Sequence, residues 1–191
     1  NKISRRPFVA DLLKHRGSAL VVPGLGSPTW DISAAGDCPE NLYSWGGMGL
    51  AASIALGIAL AQPDRRVLCI TGDGEMMMGI GSLGVIADQA PKNLGILVLD
   101  NEHFGETGRQ RGLSGQRADM CAIARGFGIA ETMLVTEQGK TSELADFLFK
   151  KPGPTFAVAK IALTEDPWSL PVKDGAAIGR RFRIALGIEK A

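Results

Sequence analysis

Two short polar segments each follow an apolar run, and the residue types of the first suit a phosphate group bridged by a metal ion. Residues 67–71 lead into the sequence Gly72-Asp73-Gly74-Glu75, which places a carboxylate between two glycines at the start of a helix. The glycines allow a phosphate to approach the backbone closely. An aspartate repels a phosphate unless a cation lies between them, and Mg²⁺ favours carboxylate and phosphate oxygens as ligands. This segment therefore predicts a phosphate site that includes magnesium.

A second polar pair, Asp100-Asn101, follows the apolar residues 95–99. The stretch between Asp73 and Asn101 has the length of a helix, a short turn and a strand that returns to the same edge of a sheet. Because the carboxyl ends of parallel strands meet at one edge, we expect the two polar segments to lie together. The spacing indicates that Asp73 and Asn101 supply oxygen ligands to one metal ion.

Short apolar runs alternate with longer helical segments along the chain. Strands are predicted at residues 19–22, 67–71, 95–99, 133–135 and 155–161, and helices at 50–62, 75–90, 120–126, 141–150 and 174–191. The strands are apolar on both faces, as a parallel sheet covered by helices on each side requires. The pattern predicts an α/β fold, a three-layer sandwich with a mostly parallel central sheet, formed as a single domain over residues 1–191.

Unusual residues also mark the ends of the predicted strands, at 23–31, 72–75 and 100–110, and the glycine-rich residues 46–49 open a helix. In α/β folds, ligands bind where strands end and helices begin, because unpaired backbone N–H groups point there. Four such segments at one edge of a sheet indicate a single extended ligand.

The bulk composition excludes several other classes of partner. The chain has 21 basic and 20 acidic residues, which are mostly scattered, so we expect neither a nucleic acid nor a membrane surface as a partner. Cys38, Cys69 and Cys121 lie far apart, which disfavours a disulfide framework, a zinc site or an iron–sulfur cluster and suits a reducing cytoplasm. The longest apolar-rich stretch, residues 48–61, is too short and glycine-broken to span a bilayer. We therefore expect a soluble cytoplasmic protein.

The Gly-Asp-Gly sequence, followed at this spacing by an apolar strand and an asparagine, resembles the thiamine-diphosphate-binding motif. Residues 42–115 are most similar to the group of sulfopyruvate and phosphonopyruvate decarboxylases, whose members can carry the two halves of the enzyme on separate chains. The most specific segments are 44–55, 72–83 and 91–110. The resemblance implies the diphosphate-binding half of a lyase that decarboxylates a small anionic 2-oxo acid, sulfopyruvate or phosphonopyruvate, to the aldehyde.

The same resemblance implies roles for individual residues. The side chains of Asp73 and Asn101 and the backbone carbonyl of His103 would hold Mg²⁺. Met48 would support the cofactor from below and bend it, and the carbonyl of Gly46 would accept a hydrogen bond from its 4′-amino group. Met48, Gly46 and His103 are the expected catalytic residues, and His103 is either a backbone ligand alone or also a proton-transfer group. The residues expected to bind thiamine diphosphate are Gly26, Ser27, Gly46, Met48, Gly72, Asp73, Gly74, Glu75, Asn101, His103, Phe104 and Gly105.

Several residues depart from the family's pattern or allow two interpretations. Glu75 stands where a small residue is common, and we expect its carboxylate to point away from the diphosphate and to favour the helix N-terminus through the helix dipole. Asp100 adds a negative charge where many relatives have asparagine. Glu106 is either a general acid or a surface charge. Arg109 and Gln110 either recognise a sulfonate or phosphonate, for which the forked donors of arginine are suited, or contact another subunit.

One expected catalytic group has no counterpart in the chain. Enzymes of this family need a glutamate from a second type of domain to activate the cofactor, and no segment here resembles that domain. The resemblance therefore implies a partner chain that carries the glutamate, a hetero-oligomer with at least two copies of each chain, and no catalysis by this chain alone. Two alternatives stay open: another split thiamine enzyme, either a 2-oxo acid oxidoreductase or an acyl-transferring type, and a non-catalytic subunit.

A further alternative is a nicotinamide-binding domain, because Gly79-Ile80-Gly81-Ser82-Leu83-Gly84 formally matches the dinucleotide fingerprint G-x-G-x-x-G. That fingerprint begins at the end of a strand, whereas the strand predicted here ends near Thr71. We expect these glycines to lie inside a helix and to permit close packing.

Overall fold

The computed structural model describes residues 2–190. In chain order its strands are β1 Leu20–Pro23, β2 Val67–Gly72, β3 Leu94–Asp100, β4 His103–Phe104, β5 Gln110–Arg111, β6 Glu131–Val135 and β7 Thr155–Lys160. Its α-helices are α1 Arg5–Leu13, α2 Ser27–Ala34, α3 Ala51–Ala61, α4 Asp73–Met78, α5 Ser82–Gln89, α6 Met120–Gly126, α7 Thr141–Ala145 and α8 Gly175–Ala185. A 3₁₀ turn, Gln138–Lys140, precedes α7, and a π-helical turn, Asp146–Lys150, follows it.

Five of the strands form one sheet in the order β1-β2-β3-β7-β6, and every neighbouring pair in it is parallel. β4 and β5 form a separate two-stranded antiparallel hairpin. In the register of β2 and β3, Gly72 lies opposite Leu99, so Asp73 and Asp100 leave the sheet side by side. The predicted α/β fold with a mostly parallel sheet is confirmed, and its topology brings the two polar segments together.

Helices cover both faces of the sheet, because the strand side chains alternate between two apolar clusters. In β2, Val67 and Cys69 pack with α3, α5 and α6, whereas Leu68 and Ile70 pack with α1, α2 and α7. All four of these side chains are fully buried. The two buried faces explain why the strands read as continuous apolar runs, and they give the three predicted layers.

The helix predicted at 75–90 is wrong in one respect, since the structure has two helices there. α4 ends at Met78 and α5 begins at Ser82. At the break, a Cβ atom on Gly79 would lie only 2.0 Å from the carbonyl oxygen of Gly49. The chain therefore turns where the loop before α3 crosses it closely, and the glycine is required for that crossing.

The C-terminal end of the chain and one loop also differ from the prediction. The terminal helix predicted at 174–191 is α8, which stops at Ala185 before the positive φ of Gly187, and Ala191 lies outside the described residues. Part of the loop predicted at 23–31 is α2, which carries a proline in its first turn. Within residues 2–190, no helix has the length and apolar character that a membrane span needs.

Candidate functional site

A cavity of ≈ 250 Å³ lies at the carboxyl ends of β1, β2 and β3, where the sequence predicts the ligand site. Every residue expected to bind the cofactor lines this cavity except Gly46. Gly46 lies two residues before Met48 in the loop before α3, with a φ of 81°. Residues that the sequence interpretation did not single out complete the walls: Arg5, Pro28, Leu99, Thr107 and Ile161. The apolar members of that set come from distant parts of the chain and carry no motif.

Asp73 is the buried carboxylate of the cavity. It is the first residue of α4, only 3% exposed, and burial together with the nearby Asp100 raises its pKa to about 6. The hydroxyl of Ser114 lies between the two acids, 2.9 Å from Asp73 Oδ2 and 2.8 Å from Asp100 Oδ1. Lys160 Nζ contacts Asp100 Oδ2 at 2.7 Å. The lysine therefore compensates Asp100 and leaves Asp73 as the carboxylate without a cationic side chain.

Asn101 and His103 form a tight turn directly after β3. The backbone N–H of His103 donates to Asn101 Oδ1 at 2.8 Å, and His103 Nδ1 lies 2.9 Å from the Asn101 carbonyl oxygen. Because a carbonyl oxygen only accepts, Nδ1 carries the hydrogen in this contact. The turn holds the Asn101 amide beside the cavity, and its oxygen keeps a second lone pair for another partner.

The donors near Asp73 have the chemistry that Mg²⁺ prefers. A carboxylate, an amide oxygen and a backbone carbonyl are all hard oxygen ligands, and a magnesium ion commonly takes its remaining positions from phosphate and water. No group of three or more His, Cys, Asp or Glu side chains capable of holding a metal occurs in the described part of the chain. The donor set thus fits a magnesium ion that depends on a phosphate ligand better than an all-protein metal centre.

Two glycines of the Gly-Asp-Gly sequence shape the cavity floor. A Cβ atom on Gly72 would meet no atom within 4 Å, so this position opens directly into the cavity. A Cβ atom on Gly74 would lie 2.5 Å from the ring of Phe104, which packs flush against the backbone there. The first glycine keeps space free for a ligand, and the second lets β4 approach α4.

Glu75 corrects the sequence prediction, because its carboxylate turns inward and is only 4% exposed. Its Oε2 atom accepts hydrogen bonds from the N–H of Leu25 at 2.9 Å and from Thr71 Oγ1 at 2.9 Å, and Oε1 accepts one from the N–H of Gly49 at 3.2 Å. Burial raises the pKa of Glu75, and these hydrogen bonds oppose that effect. The side chain therefore joins three segments around the cavity by hydrogen bonds, rather than only stabilising the N-terminus of α4 through the helix dipole.

Glu106 also faces the cavity, although the residue as a whole is exposed. Trp30 Nε1 donates to Glu106 Oε1 at 2.8 Å, and a Cβ atom on Gly26 would lie 2.7 Å from the same oxygen. The positive φ of Gly26 allows its loop to run against this carboxylate. The contact fixes the position of Glu106 at the rim and supports an interpretation other than a free surface charge.

Arg109 and Gln110 lie away from the main cavity. The Arg109 guanidinium pairs with Glu165 and lines a neighbouring cleft with Trp30 and Trp168. Gln110 is exposed and bonds to Thr107 within its own hairpin. Neither side chain faces Asp73 in this structure, so a contact with the substrate stays a prediction for both.

Two of the three glycines of the formal dinucleotide fingerprint serve packing. Gly79 meets the backbone of Gly49, and a Cβ atom on Gly84 would lie 3.2 Å from the ring of Phe127. All three glycines of the fingerprint follow α4 rather than the end of β2. The prediction that they lie inside a helix is wrong for Gly79 and Gly81, which lie in the break between α4 and α5. Close packing accounts for Gly79 and Gly84, whereas a Cβ atom on Gly81 would meet no atom within 4 Å. None of the three lies in a phosphate-binding turn at a strand end.

Comparison with known proteins identifies the family. The thiamine pyrophosphate enzyme C-terminal TPP binding domain matches residues 34–159. This match covers more than half of the chain, and the chain belongs to the thiamine pyrophosphate enzyme family. The resemblance inferred from the motif is therefore confirmed, and thiamine diphosphate is the cofactor that such a domain binds.

Individual relatives narrow the comparison. The chain is 38% identical to sulfopyruvate decarboxylase subunit beta of Methanocaldococcus jannaschii, over 58% of this chain and 58% of that protein. It is 35% identical to phosphonopyruvate decarboxylase of Streptomyces viridochromogenes, over 86% of this chain and 41% of that protein. The X-ray structure of a candidate thiamin diphosphate-dependent enzyme from Mycobacterium smegmatis superposes with a TM-score of 0.73 at 24% identity, over 85% of this chain and 32% of that one, which shows the shared fold. The chain spans about half the length of the curated relatives it matches.

Proposed function

We propose that the chain is the diphosphate- and magnesium-binding subunit of a thiamine-diphosphate-dependent decarboxylase that converts sulfopyruvate or phosphonopyruvate to the aldehyde and CO₂. The observation that carries the proposal is one cavity that gathers Asp73, Asn101 and nearly every other residue expected at such a site. The names of the relatives support the reaction and the two substrates. The name subunit beta supports an enzyme divided between two chains.

Magnesium would be held by the carboxylate of Asp73, the amide oxygen of Asn101 and the backbone carbonyl of His103. These are oxygen donors of the kind the ion prefers, and they stand at the adjacent ends of β2 and β3. The metal would offset the charge of Asp73, which the lysine beside Asp100 does not reach. It would anchor the diphosphate rather than act on the carbonyl of the substrate.

The remaining residues of the cavity would position the cofactor. Gly72 leaves open space at the floor, and the N–H groups of Gly74 and Glu75 belong to the first turn of α4 beside Asp73. Met48 borders the cavity from the loop before α3. Thiamine diphosphate, when bound, supplies the electron sink that lets the carboxyl group of a 2-oxo acid leave as CO₂. The task of this chain is to bind, orient and bend it.

A partner chain would complete the site. Met48 lines both the cavity and a shallow groove that includes the exposed side chains of Leu50, Met78 and Val85. Because exposed apolar patches next to a ligand site mark interaction surfaces, we assign this groove to the chain that carries the activating glutamate. A hetero-oligomer with at least two copies of each chain, inactive without the partner, belongs to the same proposal.

The proposal is tested by measuring CO₂ and aldehyde formation from sulfopyruvate, phosphonopyruvate and pyruvate. The protein is purified with its partner chain, and thiamine diphosphate and Mg²⁺ are supplied. Asp73→Ala is the control, and we expect it to remove turnover while the two chains still co-purify. A parallel assay adds a low-potential electron acceptor, or a second 2-oxo acid as an acyl acceptor.

The outcomes separate the candidate functions. Decarboxylation of one anionic 2-oxo acid that requires both chains and Asp73 supports the proposal and names the substrate. A product that forms only with the electron acceptor or the acyl acceptor overturns it in favour of another split thiamine enzyme. An intact complex that binds the cofactor and turns over none of the acids shows a non-catalytic subunit.

A further inference from the structure

The carboxylate of Glu75 is a junction between segments that are far apart in the sequence. Its three donors are Leu25 in the loop after β1, Thr71 near the end of β2, and Gly49 in the loop before α3. Two of the three are backbone N–H groups, which no side-chain replacement at those positions removes, proline excepted. A buried carboxylate that accepts three hydrogen bonds is strongly held, since bonds to a charged group are stronger than bonds between neutral groups.

The two loops joined by Glu75 form opposite walls of the cavity. Leu25 and Gly26 line one wall, and Met48 lines the other next to Gly49. Among residues 2–190, Glu75 provides the hydrogen-bonded connection between these loops, and no direct hydrogen bond links one to the other. The rings of Trp30 and Trp45, whose centroids lie 5.9 Å apart, also join these two parts of the chain, but Glu75 supplies the hydrogen bonds that fix the spacing beside the cavity.

Gly24 gives independent evidence that space is reserved for the carboxylate. A Cβ atom at this position would lie 1.8 Å from Glu75 Oε2 and 2.8 Å from Thr71 Oγ1. The φ of Gly24 does not itself demand glycine, because it lies outside the positive range. The absence of a side chain is explained by the carboxylate that occupies the same volume.

We propose that Glu75 is a positioning residue, which sets the separation of the two cavity walls before the cofactor binds. The proposal rests on the proposed function for the identity of the ligand, thiamine diphosphate with Mg²⁺. Glu75 holds the Leu25–Gly26 wall and the Met48 wall in the spacing that the cofactor needs, and so reduces the ordering cost of binding. Its carboxylate takes no part in the reaction.

The arrangement of donors explains why a carboxylate is needed. Leu25 and Thr71 donate to one oxygen and Gly49 donates to the other, so both atoms must accept. Glutamine has the same shape but only one accepting oxygen, and its NH₂ group would face a donor. In Glu75→Gln the amide oxygen satisfies the pair of donors from Leu25 and Thr71, and the Gly49 N–H loses its partner.

The first test measures backbone amide exchange in the cofactor-free protein by NMR or by mass spectrometry at residue resolution. Glu75→Gln is expected to accelerate exchange of the Gly49 amide by about tenfold or more, with a smaller change at Leu25, because it removes one hydrogen bond to a charged acceptor. The Ile70 amide in β2 is the internal reference. Asp37→Asn is the matched control, since Asp37 also accepts several hydrogen bonds, from Arg181 and others, but lies outside the cavity.

The second test measures the dissociation constant of thiamine diphosphate at saturating Mg²⁺ and the kinetics of the intact enzyme. Glu75→Gln is expected to weaken cofactor binding by about tenfold, the equivalent of one hydrogen bond to a charged group. In the intact enzyme, the thiamine diphosphate concentration that gives half of the maximal rate is expected to rise by the same factor, because the cost of ordering the walls falls on cofactor binding. Glu75→Asp, which keeps the charge but is too short to reach both loops, gives a second variant with the same expected direction.

The outcomes distinguish this inference from the proposed function. Equal acceleration at Gly49 and Ile70, or cofactor binding unchanged in both variants, overturns the role of Glu75. A half-saturating thiamine diphosphate concentration that stays at the wild-type value in the intact enzyme overturns it as well. Wild-type protein that binds no thiamine diphosphate overturns the proposed function, while the exchange data still decide whether Glu75 holds the loops.

Discussion

Asp73 and Asp100 share a single hydroxyl, that of Ser114, which can donate its one hydrogen to only one of them at a time. Lys160 contacts Asp100 and leaves Asp73 buried beside a second acid. Without a cation, the burial of Asp73 and its closeness to Asp100 carry an electrostatic cost, and together they raise the pKa of Asp73 to about 6. A metal ion at Asp73 removes this cost, so the arrangement exchanges stability of the metal-free protein for affinity toward a cation.

The pH dependence of stability follows from the direction of this shift. The folded pKa of Asp73 is about 6 against an ordinary value of 3.8, so the folded metal-free chain binds a proton that the unfolded chain releases. The contribution of this group to stability falls as pH rises from about 4 to about 6, and it then stays low. In denaturant melts without Mg²⁺, we expect the contribution of Asp73 to the free energy of unfolding to be about 1 kcal/mol larger at pH 5 than at pH 7. The same contribution disappears in Asp73→Asn.

The comparison of wild type with Asp73→Asn isolates that contribution, because every other titrating group is common to both proteins. A difference in unfolding free energy that is flat between pH 4 and pH 7 would contradict the raised pKa. Saturating Mg²⁺ and thiamine diphosphate are expected to reverse the order of stability at pH 7, since only the wild-type carboxylate gains a ligand.

Asp73→Asn is also expected to be more stable than wild type at pH 7 in the absence of metal, by on the order of 1 kcal/mol. Asparagine keeps an oxygen acceptor for Ser114 but loses the repulsion with Asp100. The same change should weaken Mg²⁺-dependent binding of thiamine diphosphate by more than about tenfold, because a charged ligand becomes neutral. Thermal melts and calorimetric titration measure the two effects. A variant that loses both stability and binding would indicate a packing role instead.

Among individual residues, those identified by type and spacing could be predicted from the sequence, whereas those defined by long-range contacts could not. Asp73 and Asn101 were recognisable because carboxylate and amide oxygens follow neighbouring strands. Ser114 and the inward orientation of Glu75 were not, since each depends on partners 41 and 50 residues away and no local pattern encodes them. Local sequence indicates a helix-dipole role for a glutamate in the first turn of a helix. The structure instead shows that the loops after β1 and before α3 donate hydrogen bonds to its carboxylate.

Among the elements, the break between α4 and α5 determines where the loop of Met48 lies. Gly79 and Gly49 meet backbone to backbone, and the latter has a φ of 87°. Gly79→Ala is expected to destabilise the protein by about 1–3 kcal/mol, because its Cβ would overlap a carbonyl oxygen that belongs to the backbone and cannot rotate away. Displacement of the loop is also expected to weaken cofactor binding.

Gly81→Ala is the matched control for this prediction. Gly81 has a φ of −61°, and a Cβ atom there meets no atom within 4 Å. Alanine is therefore expected to be neutral or to stabilise by up to about 1 kcal/mol, through the reduced freedom of the unfolded chain. Denaturant melts of both variants provide the measurement. Equal effects at Gly79 and Gly81 would show that the close crossing is not maintained in solution.

The strands could be predicted from the sequence, whereas the break between α4 and α5 could not, for one physical reason. A strand buried on both faces, such as Val67–Gly72, shows a continuous apolar run that local sequence displays. The region 75–90 has a helical composition throughout, and its interruption comes from the approach of Gly49, thirty residues earlier in the chain. Contacts between distant segments also place α2, because its proline and serine resemble a loop when considered alone.

At the scale of the whole molecule, the apolar groove beside the cavity is a surface that would not be expected to stay exposed to solvent in a monomeric protein. Leu50 is 52% exposed, Met78 67% and Val85 55%, and all of them adjoin Met48. These side chains come from three segments, the loop before α3 and the two helices α4 and α5, so the groove is a property of the assembled fold. Its continuity with the cavity places any protein that binds there next to the candidate cofactor site, where the proposed function expects the activating glutamate.

Val85→Asp tests this assignment, because it puts a charge in the groove without touching the cavity. Its exposed position on α5 should keep the unfolding free energy within about 0.5 kcal/mol of wild type, whereas burial of an unpaired charge should weaken association with the partner chain by at least about tenfold. Leu60→Asp is the control, since Leu60 is 49% exposed and lies at the opposite end of α3 from Leu50. Analytical ultracentrifugation or surface plasmon resonance measures the affinity. If Val85→Asp associates like wild type while Leu60→Asp does not, the partner binds a face that includes Leu60 rather than the groove beside the cavity.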